Sequence, residues 1–165
     1  MDLKNLKTSI NDRRSGGVVS VGTFGAAQVP FFTLRPDAVE VAVRACREDA
    51  ETEADFLECI SGYEEKSKMV LTYFLVSQRT QQRVIFRTRL EADSGGLYAI
   101  PSIQPIFPSA WQFESELQAL LGIDFTHPTE KNVSFRPVPE QITGYPLRRE
   151  FRLPEIPRPR RSEEI

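Results

Sequence analysis

One histidine, two cysteines, a pair of glutamates and a knot of arginines are the residues here that could do chemistry. His127 is followed by Pro128 in a loop-like segment, and a lone loop histidine more often bonds a backbone carbonyl than acts as a general base. Cys46 and Cys59 are too few and too poorly spaced for a zinc site, and neither has the local signature of a nucleophile. They read as reduced, half-buried thiols of an intracellular protein. Glu114 and Glu116 stand two apart on a helical stretch, so they point in different directions and form no carboxylate pair. The chain carries no G-x-S-x-G elbow, phosphate loop, dinucleotide fingerprint or H-E-x-x-H. These residues describe a non-catalytic protein with no metal site.

The arginines are the concentrated feature. Arg148, Arg149, Arg152, Arg158, Arg160 and Arg161 crowd the end of a chain whose formal net charge is -2. That balance argues against whole-surface nucleic-acid binding. The cluster can be a solubilising tail, a dock for an acidic protein surface, or a contact for the phosphates of RNA or anionic lipid. Interleaved prolines and few aromatics disfavour a stacking platform for RNA and favour docking on protein.

Around these residues stand the elements that must position them. With 165 residues, 40% hydrophobic and 27% charged, the chain suits one globular core that needs neither disulfide nor metal. Residues 1–28 read as a polar amino-terminal arm, in which "GVVSVG" is either a strand or part of the arm. The opening "MDLKNLKTSINDRRSGG" matches neither a signal peptide nor a transit peptide. No run approaches the roughly 20 apolar residues of a membrane helix.

An α/β domain is expected over residues 29–123. "VPFFTL" reads as a strand. "PDAVEVAVRACRED" reads as a helix opened by Pro36, with Val39, Ala42, Val43 and Cys46 on one face. The acidic "EDAETEADF" reads as a solvated loop. "FLECISGY" reads as a short apolar element that Gly62 ends. "MVLTYFLVS" and "RVIFRTRLE" are the strongest strands, joined by "QRTQQ" into an antiparallel hairpin. In the second, Val84, Phe86, Thr88 and Leu90 alternate with Ile85, Arg87 and Arg89. Phe113, Leu117, Leu120 and Leu121 mark a helix, and Gly122 is placed to end it in a left-handed cap. The fold class is therefore α/β of the α+β kind: a small mixed sheet with helices packed on one side. Residues 124–165 read as an extended, proline-rich docking arm that either wraps its own domain or lies on a partner.

Two boxes in this region carry a family likeness. "IPSIQPIFPSAWQFESELQALLGIDFTHP", followed by "GYPLRREF", resembles the signature of the 30-kDa (C) subunit of respiratory complex I. Related subunits occur in membrane-bound, energy-converting nickel-iron hydrogenases. The family pattern runs A-N-W-x-E-R-E-x-x-D-L-F-G-I-x-F-x-G-H-P and later G-H-P-L-R-K-D-[FY]. Glu114 and Glu116 match its two glutamates, Gly122, Ile123 and Phe125 its G-I-x-F, and His127 and Pro128 its first H-P. Gly144, Pro146, Leu147 and Arg148 match the second box, with Arg149 and Glu150 as like-charged replacements. Ser115, Ala119, Leu121 and Tyr145 depart from it, and the glycine before His127 is missing.

The resemblance implies an accessory, structural subunit of the hydrophilic arm of a membrane-associated NADH:quinone oxidoreductase. Alternatives are the matching subunit of an energy-converting hydrogenase, or a free-standing module that binds RNA or acidic partners through its arginines. It implies no cofactor in this chain, with iron–sulfur clusters, FMN and quinone in partner subunits. The implied partner is the large, 49-kDa-like subunit, with no nucleic acid and contact with the membrane only through the complex. The implied location is peripheral, on the cytoplasmic side of a bacterial inner membrane or the matrix side of a mitochondrial one. The residues expected at the partner interface are Glu114, Glu116, His127, Pro128, Gly144, Tyr145, Pro146, Arg148, Arg149 and Phe151. Gly144 and Pro146 set the turn, and Leu147 and Phe151 anchor it.

Overall fold

Alternation dictates the centre of the molecule. The computed structural model describes residues 3–126, 138 and 142–153. Strands β4 (Lys68–Val76) and β5 (Arg83–Leu90) pair antiparallel, with Met69 opposite Leu90 and Val76 opposite Arg83. Strand β3 (Phe56–Glu65) flanks β4 antiparallel, with a bulge between Leu57 and Cys59. Strand β2 (Val29–Leu34) runs parallel to β5, and β1 (Val18–Phe24) lies antiparallel to β2 at the far edge. The five-stranded sheet therefore has the order β1-β2-β5-β4-β3.

The inner face carries Phe32, Leu34, Leu57, Ile60, Leu71, Tyr73, Leu75, Val84 and Phe86, all buried and joined in one core. Three helices cover this face. Helix α2 (Val39–Glu48) follows a short 3-10 turn at Pro36–Ala38 and buries Val39, Ala42, Val43, Ala45 and Cys46, the stripe its spacing predicts. Helix α3 (Ala110–Leu121) lies on β3 and ends at Gly122, whose φ of 69° and ψ of 40° make the left-handed cap expected there. A small parallel pair, β6 (Tyr98–Pro101) and β7 (Ile123–Thr126), brackets α3. The α+β class, with a mixed sheet and helices on one side, is the one the sequence implies.

Three local expectations need correction. Residues 3–24 are not an arm: α1 (Leu3–Arg13) packs on α2, its Leu6 and Ile10 lie in the core, and β1 joins the sheet. Two buried apolar residues one turn apart, on a helix otherwise mostly polar, leave little periodic signal. Secondly, Gly62 does not end an element but sits inside β3. A Cβ there would lie 3.0 Å from methyl carbons of Leu117, Leu121 and Leu71, so glycine lets α3 approach the strand closely. Thirdly, residues 124–126 are not arm but the body of β7.

Candidate functional site

Gly122 and "GYPLRREF" meet at the carboxyl end of α3. The left-handed turn at Gly122 exposes its Cα to the ring of Tyr145, and a Cβ on Gly122 would lie 2.4 Å from the Tyr145 Cζ. The Leu147 N–H donates to the carbonyl oxygen of Leu120 at 3.0 Å. Arg148 then reaches inward: its Nε donates to the Leu121 carbonyl at 2.7 Å, and a terminal nitrogen to the Gly122 carbonyl at 3.4 Å. The last carbonyls of a helix lack partners within it and carry partial negative charge, so a guanidinium satisfies both needs. The Arg148 side chain is 14% exposed. Its guanidinium carbon lies 4.6 Å from the ring centre of Tyr145 and 5.2 Å from that of Tyr98, a cation held between two aromatic faces.

The rest of the box fastens the turn. Gly144 has a φ of 98°, in the region that favours glycine. A Cβ there would stand 3.7 Å from Phe151. The Arg148 N–H donates to the Tyr145 carbonyl at 3.0 Å and the Phe151 N–H to the Arg148 carbonyl at 3.1 Å. Pro146 and Phe151 are half-buried, while Tyr145 remains 39% exposed. The Arg149 N–H donates to Glu64 Oε2 of β3 at 2.9 Å, and its side chain faces solvent. Residues 142–153 thus wrap their own domain, one of the two arrangements open to the arm. Arg148, expected at a partner interface, turns its guanidinium to its own helix.

Glu114 is likewise placed inside. It is 2% exposed, and its carboxylate accepts from Ser102 Oγ at 2.7 Å, the Ile103 N–H at 2.9 Å and Gln104 Nε2 at 2.8 Å. It ties α3 to the loop after β6, because a buried carboxylate must gather donors to replace water. Glu116, two positions on, is exposed, as helical geometry requires. The interface positions expected at His127 and Pro128, and the arginines beyond Arg152, lie outside the described residues. Four participants escaped sequence reasoning: Tyr98, Glu64, Ser102 and Gln104. Ser102 and Gln104 lie inside the quoted "IPSIQPIFPSAW" stretch, where no role was assigned to either; Tyr98 and Glu64 are brought in only by the fold.

Among the described residues no cluster of His, Cys, Asp or Glu could hold a metal ion. Both thiols are free. Burial pushes the Cys46 thiol far up, with nearby Asp49 adding to it, and desolvation and then Glu58 raise Cys59. Neither is an activated nucleophile. No helix among the described residues is long and apolar enough to cross a membrane.

The family model described as "Respiratory-chain NADH dehydrogenase, 30 Kd subunit" matches residues 32–157. Among similar proteins, the C subunit of the NADH-quinone oxidoreductase of Ruegeria pomeroyi is 30% identical over 158 residues, 90% of this chain and 72% of that protein. Its namesake in Roseiflexus sp. (strain RS-1) is 27% identical over 124 residues, 73% of this chain and 68% of that one. Among solved structures, a chain of the membrane-bound sulfane sulfur reductase, an archaeal respiratory membrane complex, has a similar fold. It shares 16% identity at a TM-score of 0.59, covering 74% of this chain and 69% of that chain.

Proposed function

This chain belongs to the family of the respiratory-chain NADH dehydrogenase 30 Kd subunit, and we propose on that premise that it is a structural subunit of the hydrophilic arm of an NADH:quinone oxidoreductase. The observation that carries this reading is the family match, which extends from Phe32 in the sheet through the clasp at 144–151. Its work is to present a rigid surface within the assembly. The Arg148 clasp and the Glu114 strut serve that work by fixing both ends of α3 and the segment that passes over it.

In this reading the large, 49-kDa-like subunit is the principal partner. Iron–sulfur clusters, FMN and quinone belong to other subunits, and electron transfer does not pass through this chain. The protein lies peripherally, on the cytoplasmic or matrix face of the membrane.

Co-purification tests the proposal. The tagged full-length chain, drawn from mildly solubilised native membranes, should bring a large NADH-quinone oxidoreductase subunit and iron–sulfur absorbance. A chain recovered alone overturns it. Recovery of hydrogenase subunits instead would move it to the other branch of the resemblance.

A further inference from the structure

The three helices cover one face of the sheet, and no other element among the described residues covers the second. A solvated face of a sheet ordinarily carries polar side chains. Here the register sets Phe31 beside Ile85 and Ile85 beside Phe74, while Phe24 at the edge is 65% exposed. These side chains, with Thr72 and Arg87, line a hollow of about 360 Å³.

Strand β5 sends three arginines across the same face. Arg83 pairs with Glu58 at 3.3 Å and Arg89 with Glu65 at 3.3 Å. Arg87, between them, has no carboxylate among the described residues. It donates to the Tyr63 hydroxyl at 2.6 Å and lies 5.7 Å from the Phe31 ring centre and 6.0 Å from that of Tyr63. Its Nε is buried without an acceptor. A cation half-buried against aromatic rings, between two arginines that have their counter-ions, lacks its own.

We propose that this open face seats a segment of another subunit in which an Asp or Glu stands among apolar side chains, the carboxylate on Arg87 and the apolar groups in the hollow. This rests on the reading of the chain as a member of a complex and names a second surface for it, away from the α3 clasp. The charges select the occupant. A carboxylate would complete the Arg87 guanidinium with charge-assisted hydrogen bonds at a nitrogen that is buried without an acceptor. A second copy of the same face would oppose arginine with arginine, since Glu58 and Glu65 are engaged. Nucleic acid would meet those two carboxylates beside each phosphate.

The test is a photo-cross-linker, benzoylphenylalanine, placed at Phe74 of the tagged full-length chain and irradiated in the assembled complex. The expected product joins it to a peptide of another subunit that contains Asp or Glu beside apolar residues. Arg87→Glu should reduce that product about tenfold or more, the scale of a lost desolvated charge pair. Exchanging the partner's acid for Arg in that variant should restore it. Thermal melting of Arg87→Glu reads separately what the lost Tyr63 hydrogen bond and ring contacts cost the fold, and recovery of the product on exchanging the partner's acid separates docking from folding. A product with a second copy, with lipid or with a peptide lacking an acid, or no product in a complex that assembles, overturns this docking and leaves the proposed function standing. A chain recovered without a complex overturns both.

Discussion

Arg148 Nε donates to the carbonyl oxygen of Leu121 at 2.7 Å, which makes a residue 27 positions downstream the cap of α3. Loss of a hydrogen bond to a charged donor costs about 1.5–3 kcal/mol, and the two aromatic faces add about 0.5–1 kcal/mol each. Arg148→Ala should therefore lower stability by about 2.5–5 kcal/mol in urea unfolding. Arg149→Ala, which keeps its backbone bond to Glu64, should stay within about 1 kcal/mol of the parent. Equal losses would remove the distinction between them.

Gly122 and Tyr145 should be energetically coupled. Gly122→Ala meets a left-handed penalty of about 1–2 kcal/mol and also displaces the Tyr145 ring. In a Tyr145→Ala background only the backbone penalty remains, so the double mutant should be more stable than the sum predicts, by about 0.5–3 kcal/mol. Additive single losses would mean that the ring does not rest on the glycine.

Glu114 should tolerate neither loss nor neutralisation. Glu114→Ala leaves the donors of Ser102, Ile103 and Gln104 facing a void, and each stranded donor costs about 1–3 kcal/mol. A destabilisation of about 3 kcal/mol or more is expected. Glu114→Gln, which turns an N–H₂ toward donors, should recover only part of it. A fully stable Glu114→Gln, read by thermal melting, would contradict the need for an ionised acceptor.

Cysteine alkylation should separate the two thiols. Cys46 should resist iodoacetamide until the protein unfolds. Cys59, half-buried on the open face with its thiol raised by desolvation and Glu58, should react slowly near neutral pH and faster only above its ordinary value of about 8.5. Mass spectrometry of native protein across that pH range checks this.

Asp37 should contribute an acid-sensitive increment. Its hydrogen bond from Arg14, then the charges of Arg14 and Arg35, hold its carboxyl below the usual range against desolvation. A depressed folded value stabilises the protein above the unfolded value and loses that stability as pH falls through the folded one. With both arginines about half exposed, the increment is no more than about 1 kcal/mol. Asp37→Asn should narrow its gap to the parent below about pH 4; a constant gap would assign the effect to packing.

The sequence by itself determined the strands β4 and β5, the buried stripe of α2, the left-handed end of α3 and the family. Each rests on local signals: a period of two, a period of 3.6, a glycine after an apolar run, and boxes of fixed spacing. What the tertiary structure decided is direction. Nothing local to "GYPLRREF" says whether Arg148 turns outward or caps a helix, because its acceptors are 26 and 27 positions away. The Arg149 N–H finds Glu64 85 positions away. Glu114 and Glu116 look alike in the chain, yet only Glu114 falls where α3 meets the loop after β6. Gly62 reads as a stop until Leu117 and Leu121 pack against it. In each case the residue's role is set by a partner that folding alone brings within reach, and that is why the arginine that reads as a hook for another protein first holds its own domain together.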